Sequence, residues 1–305
     1  MTNRTIDSLN QEFHINGYLV FKEGPNGLIF AQIKNDSASA QIFLHGAHLT
    51  SFIPNDQEPI LFLSALSQFE PSKAIRGGIP ISWPWFADHP TDSSKPAHGF
   101  ARTSLWEVRG TKSVSKDETQ ITLGLRDNEE THKIWDYSFD LQIVINIGKE
   151  LISELTMTNC GKEDFTITIA FHSYYNVGDV NDVAIHGLEG KNYIDKVDNF
   201  TKKTQDGPIK ITDETDRIYI DTISDCVISD PSLSRKIRIR KSGSNSAVVW
   251  NPWMEKAKRM KDLGDQDCLN FVCVETTNAG TDLITLVPNQ QHKLRMNVSV
   301  EDLTD

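Results

Sequence analysis

The sequence predicts an all-β protein, a sandwich or barrel, and three observations carry that expectation. Short alternating or β-branched runs follow one another closely along almost the whole chain. Turn chemistry separates them, as in GPNG, IPND, GKE, NCGKED, QDGP and KSGSNS. Hardly any segment long enough for a helix carries a helical apolar period.

Taken in order, the strand-like runs are GYLVF, LIFAQIK, AQIFL, TQITLGL, SFDLQIVINI, ELISELTMTN, DFTITIAFHSYY, RKIRIRK, AVVW, FVCVE, DLITLV and HKLRMNVSV. Alternation assigns faces within them, because successive strand side chains point to opposite sides. In DFTITIAFHSYY, Phe165, Ile167, Ile169 and Phe171 share one face, while Thr166, Thr168, Ala170, His172 and Tyr174 share the other. His172 is therefore expected on the face that does not look like core. In FVCVE, Glu275 ends the run on the face of Phe271 and Cys273, at a solvent rim or in a pocket. The clearest helix is short, near PWMEKAKRMKDL, and a turn is expected at LSALSQFE. No compositional break marks a linker and no tandem repeat is present, so residues 1–305 are expected to form one domain.

Composition narrows the function classes. The 305 residues carry 42 acids against 31 lysines and arginines, a net charge of −11. That balance argues against nucleic acid or an anionic membrane as partner, and any anionic ligand needs a local basic cluster. MTNRTIDSLNQEF lacks the apolar segment of a secretory signal, and no apolar stretch approaches membrane-spanning length. Cys160, Cys226, Cys268 and Cys273 lack C-x-x-C spacing and read as reduced thiols. The expectation is a cytosolic protein, monomeric for want of any coiled-coil seam.

Candidate chemistry is concentrated in a few stretches. His98 in KPAHGFAR and His172 are plausible proton-transfer groups, since histidine titrates near neutrality. Either one alone reads more readily as an ordinary hydrogen-bonding side chain, and Glu275 alone as a solvated one. Arg76 in AIRGGIPISWPWF and Arg102 in HGFAR lie beside glycines or aromatics rather than in a solvated charge run. Planar guanidinium groups suit phosphate or carboxylate, although internal ion pairing competes with that reading. Trp83, Trp85, Trp250 and Trp253 could floor a sugar site or simply fill core. His45 and His48 in LHGAH have a spacing that could suit a metal, but no further ligand accompanies them. P-loop, dinucleotide and serine-elbow patterns are absent.

The stretches AIRGGIPISWPWF, KPAHGFARTSLWEV, IAFHSYY, TDRIY, VVWNPWMEKAKRMKDL and FVCVETTNA occur in that order. Together they resemble the hexose-6-phosphate mutarotases, or glucose-6-phosphate 1-epimerases, of the aldose 1-epimerase superfamily. The likeness runs from about Gly17 to Val300. It implies a galactose-mutarotase-like β-sandwich, no metal, no organic cofactor and a small-molecule hexose phosphate as ligand. Position by position it implies His98 and His172 as active-site histidines and Glu275 as the base. It implies Asp216 of TDRIY as a holder of sugar hydroxyls, and Arg76 and Arg102 as the basic positions of the phosphorylated-sugar branch. Ser82, Ala97 and Thr276–Thr277 depart from the common pattern.

Overall fold

A computed structural model describes residues 4–303. Two eight-stranded antiparallel sheets dominate it. The first has the strand order Thr201–Thr204, Asn192–Asp195, Thr215–Tyr219, Ser246–Asn251, Phe271–Asn278, Ile169–Phe171 and Ile81–Ser82, with Tyr174–Asn176 also paired to Phe271–Asn278. The second runs Ala184–His186, Cys226–Asp230, Arg235–Ser242, Gln291–Asp302, Leu151–Asn159, Phe139–Ile147, Glu118–Arg126 and Glu107–Ser115. A four-stranded meander from Leu19–Glu23 to His48–Pro54 reaches the first sheet's margin through a bridge between Leu49 and Ile79. No helix among the described residues is long and apolar enough to cross a membrane.

The all-β expectation holds, and so does the assignment of faces. One buried cluster takes Val249, Val272 and Val274 from the first sheet and Ile143, Leu155, Met296 and Val298 from the second. Phe165, Ile167, Ile169 and Phe171 belong to it, as their alternation requires. Phe271 and Cys273 point the other way, into a smaller cluster with Tyr174, Val248 and Trp250. The first sheet is thus covered on both faces at its centre, and every residue of Phe271–Asn278 is buried.

Three local expectations need revision. Glu275 does not end its strand, which continues through Thr276, Thr277 and Asn278. Neighbouring strands on both sides satisfy the backbone there, so polar side chains can continue a ladder that apolar patterning would close. DFTITIAFHSYY is broken into three short strands instead of one. The helix near WNPW is confined to Trp253–Ala257. Two helices escape the strand-dominated reading because their signals are caps. Ile6–Phe13 starts where Thr5 Oγ1 accepts the Ser8 amide, and Glu129–Ile134 starts in a reciprocal Asn128–Thr131 capping box.

Leu155 lies fully buried in the shared cluster between the two large sheets. Leu155→Ala should therefore cost about 2–5 kcal/mol in denaturant unfolding while leaving the opposite face of the first sheet intact.

Candidate active site

The two motif loops meet the first sheet at its Ile81–Ser82 margin. His98 adopts a left-handed backbone, φ 65°, directly before Gly99 at φ 67°. A Cβ on Gly99 would lie 2.0 Å from the Trp83 carbonyl oxygen, so only glycine permits this crossing. The turn is held by backbone bonds from Trp83 to the His98 carbonyl and from Phe100 back to Trp83. Trp83 itself is buried against Phe100, Trp135 and Phe139. This is the stiff scaffold that the density of aromatics in the sequence foreshadows.

Hydrogen bonding fixes the His98 tautomer. The Ala87 amide donates to Nδ1 at 3.3 Å, and the Ser82 hydroxyl lies 3.1 Å from the same atom. A backbone N–H can only donate, so in the neutral ring the proton sits on Nε2. Ser82, one of the departures from the common pattern, thus helps to orient the histidine.

His172 follows Ile169–Phe171 and faces away from the core between the sheets. Its ring stacks on Tyr174 at 4.9 Å and 8°, meets Trp250 edge-on, and lies 5.5 Å from the His98 ring. Nδ1 is 3.4 Å from Glu275 Oε1. Glu275 is 2% exposed, and its Oε2 is buried without a hydrogen-bond partner. Of the two sequence expectations for Glu275, a solvent rim or a pocket, its burial removes the rim.

The electrostatics follow from that burial. Desolvation pushes the Glu275 carboxyl well above the usual carboxylate range, and the nearby Asp216 charge adds to the effect against Lys196 and Arg102. Burial drives His172 well below the usual histidine range, helped by Arg102 and Arg76. His98 is lowered for the same reason, with Arg102 and His172 contributing. A carboxyl that binds its proton tightly thus faces an imidazole that gives its proton up easily.

The two arginines behave differently. Arg76 Nε and Nη2 both lie 3.1 Å from Asp262 Oδ2, and Nη1 donates to the Tyr174 hydroxyl at 2.9 Å. Internal pairing is therefore realised for Arg76, and it links this arginine through Tyr174 to the stacked His172 ring. Arg102 donates to the Ala97 carbonyl at 2.9 Å and has no ion pair among the described residues. Burial, with Arg76 also opposing its charge, pushes it down to about 10, still charged at neutral pH. Its remaining donors are available to an anion.

Asp216 extends from Thr215–Tyr219 opposite Trp250 and accepts from Lys196 Nζ at 2.8 Å. Lys196 also lies over the Phe86 ring. All six sequence-derived candidates are thus gathered on one face of one sheet or on the loops beside it. Lys196 and Asp262 were missed. Lys196 sits in the unremarkable stretch YIDKVDNF; Asp262 lies inside VVWNPWMEKAKRMKDL, but nothing local marks its partner 186 residues away. Among the described residues no cluster of three or more His, Cys, Asp or Glu side chains could hold a metal ion.

Comparison with known proteins gives this arrangement a family. The family model described as aldose 1-epimerase matches residues 30–299. The chain belongs to the aldose 1-epimerase family. Within the family it is similar to a Cenchrus ciliaris protein named "Putative glucose-6-phosphate 1-epimerase", 36% identical over 85% of this chain and 80% of that protein. An Escherichia coli protein of the same name is 36% identical over 81% of this chain and 82% of its own. Among solved structures, a Salmonella typhimurium "putative mutarotase" superposes with a TM-score of 0.89 at 31% identity, covering 95% of this chain and 96% of that one. A galactose mutarotase related enzyme from Lactobacillus acidophilus, at 17% identity and a TM-score of 0.69, speaks for the epimerase fold alone.

The buried carboxylate carries a stability consequence. A carboxyl whose folded-state pKa is raised disfavours folding above its unfolded pKa of about 4.3, increasingly as pH climbs towards the folded value. Glu275→Gln should therefore raise the melting temperature by about 2–4 °C for each kcal/mol relieved at neutral pH. Near pH 4 the two proteins should melt together. Calorimetry across that range provides the check.

Proposed function

We propose that this protein interconverts the α and β anomers of a hexose 6-phosphate, with glucose 6-phosphate as the leading substrate. The observation that carries the reading is the dry Glu275 carboxylate beside His172, with Oε2 unpartnered and Arg102 nearby with spare donors. Such opposed shifts on adjacent groups mark an acid–base pair. Family membership and the names of the similar proteins support the same direction.

Mutarotation asks for little more. Glu275, ionised, takes the proton from the C1 hydroxyl as the carbonyl forms and the C1–O5 bond breaks. His172, protonated, gives its proton to O5. Rotation about C1–C2 then presents the other carbonyl face, and the reverse transfers close the ring. Ring opening takes the pair from carboxylate and imidazolium to carboxylic acid and imidazole. Burial favours that neutral state, so the charged pair that opens the ring is the minor form of the free site, and reclosure starts from the favoured one. The Nε2–H of His98 serves as donor to the ring or carbonyl oxygen. Asp216, oriented by Lys196, receives sugar hydroxyls, and Trp250 offers an apolar surface beside them. Arg102, with Arg76, meets the phosphate.

Anomer exchange measured by NMR on glucose 6-phosphate and on free glucose tests this directly. Fast exchange on the phosphorylated sugar is expected, reduced about 10²–10⁴-fold by Glu275→Gln. Arg102→Ala should raise KM for the phosphorylated sugar about 10- to 100-fold, the scale of charge-assisted hydrogen bonds, without a comparable loss on glucose. Equal exchange on both sugars would remove the phosphate from the assignment. No exchange on either, with sugar phosphate still bound, would make this a binding protein.

A further inference from the structure

The LHGAH motif is left over from the site just described, yet its residues reach both arginine-bearing segments. His48 is fully buried, and its Nε2 lies 2.7 Å from the carbonyl oxygen of Gly77, the residue after Arg76. A carbonyl can only accept, so Nε2 carries the proton. Burial pushes the ring down to about 3, which keeps it neutral at every working pH. His45 Nε2 makes the same kind of bond to the Lys73 carbonyl at 2.8 Å. The two histidines therefore hold one short segment, 73–77, on either side of Arg76.

The same turn abuts the second arginine. Gly46, at φ 76°, donates its amide to the Ser104 carbonyl at 2.7 Å. A Cβ placed on Gly46 would lie 2.6 Å from the Arg102 carbonyl oxygen and 3.2 Å from its Cα. Trp106 N–H closes the contact on the Leu44 carbonyl at 2.8 Å. Four of the five residues 44–48, all but Ala47, thus touch backbone in the two arginine-bearing segments. They span two stretches that also meet directly through the Trp83–His98 and Phe100–Trp83 backbone bonds.

We propose that the 44–48 turn is a brace that fixes Arg76 and Arg102 relative to each other, with His48 and Gly46 as its positioning residues. The proposal rests on reading the two arginines as the phosphate-binding pair. A bidentate or paired anion site needs its donors held within fractions of an ångström, and a brace common to both adds a second tie, beside Arg76 and Arg102 themselves, to the one the loops already share at Trp83. It also gives LHGAH a use in which the imidazoles serve as fixed donors to backbone.

The test compares the full-length protein with His48→Phe, His48→Gln and Gly46→Ala in anomer exchange on glucose 6-phosphate. A substrate-free readout accompanies it, the ¹H–¹⁵N signal of Arg76 Nε, identified by its loss in Arg76→Lys. In His48→Phe, KM should rise about 10- to 100-fold, as expected for donors displaced by roughly an ångström, with kcat much less affected. The Arg76 signal should shift or broaden. His48→Gln, whose side-chain amide can reach the Gly77 carbonyl, should restore both. Gly46→Ala should raise KM from the Arg102 side, and it carries the test if His48→Phe does not fold. Parallel losses of kcat and KM in His48→Phe and His48→Gln alike would overturn the brace. So would an unmoved Arg76 signal in His48→Phe. If wild-type protein does not exchange glucose 6-phosphate, the proposed function falls separately, and the Arg76 signal still decides the brace.

Discussion

An ionisable carboxyl kept almost dry is the constraint on which the rest of this structure turns. Glu275 can be 2% exposed because its strand has hydrogen-bonded neighbours on both edges and packed side chains on both faces. Moving a carboxylate out of water is costly unless other charges compensate, and here compensation is incomplete. Lys196 and Arg102 favour the anion, whereas burial and Asp216 oppose it. The balance leaves a carboxyl that holds its proton more tightly than a solvated rim carboxyl would. Two eight-stranded sheets provide enough buried apolar surface to sustain one such unfavourable group.

The same trade of stability for placement recurs at His98. A non-glycine residue in the left-handed region is uncommon, and here it is held by backbone bonds to Trp83 and followed by a glycine that nothing larger can replace. The aromatics around Trp83 make that turn rigid. What the strain secures is the orientation of one ring, with Nδ1 occupied by the Ala87 amide and the proton assigned to Nε2.

Charge is arranged on two scales. Over the whole chain acids exceed bases, which gives a net charge of −11. Around the candidate site the pattern is different: Arg76, Arg102 and Lys196 all bear on the histidines, and only Arg76 and Lys196 have carboxylate partners. An anionic ligand would therefore meet local positive charge despite the opposite sign of the protein as a whole. The Asp262 contact makes Arg76 a different kind of group from Arg102, anchored where Arg102 is available.

Much of this was legible in the linear sequence because strand periodicity is local. Alternation alone put His172 opposite Phe171 and placed Glu275 with Phe271 and Cys273, and the order of motifs pointed to the six candidate residues. Local patterning also has a limit: polar Thr276, Thr277 and Asn278 gave no sign that their strand continues, since neighbours from distant segments satisfy it. The caps of the two unanticipated helices were present in the sequence but outweighed by the surrounding strand signals. Tertiary structure alone decided the partnerships, Arg76 with Asp262, Lys196 with Asp216, and the 44–48 turn with both arginine segments. The side-chain period fixes which way a residue points, whereas which residues meet depends on sheet register and loop closure over long separations, and no local pattern encodes those.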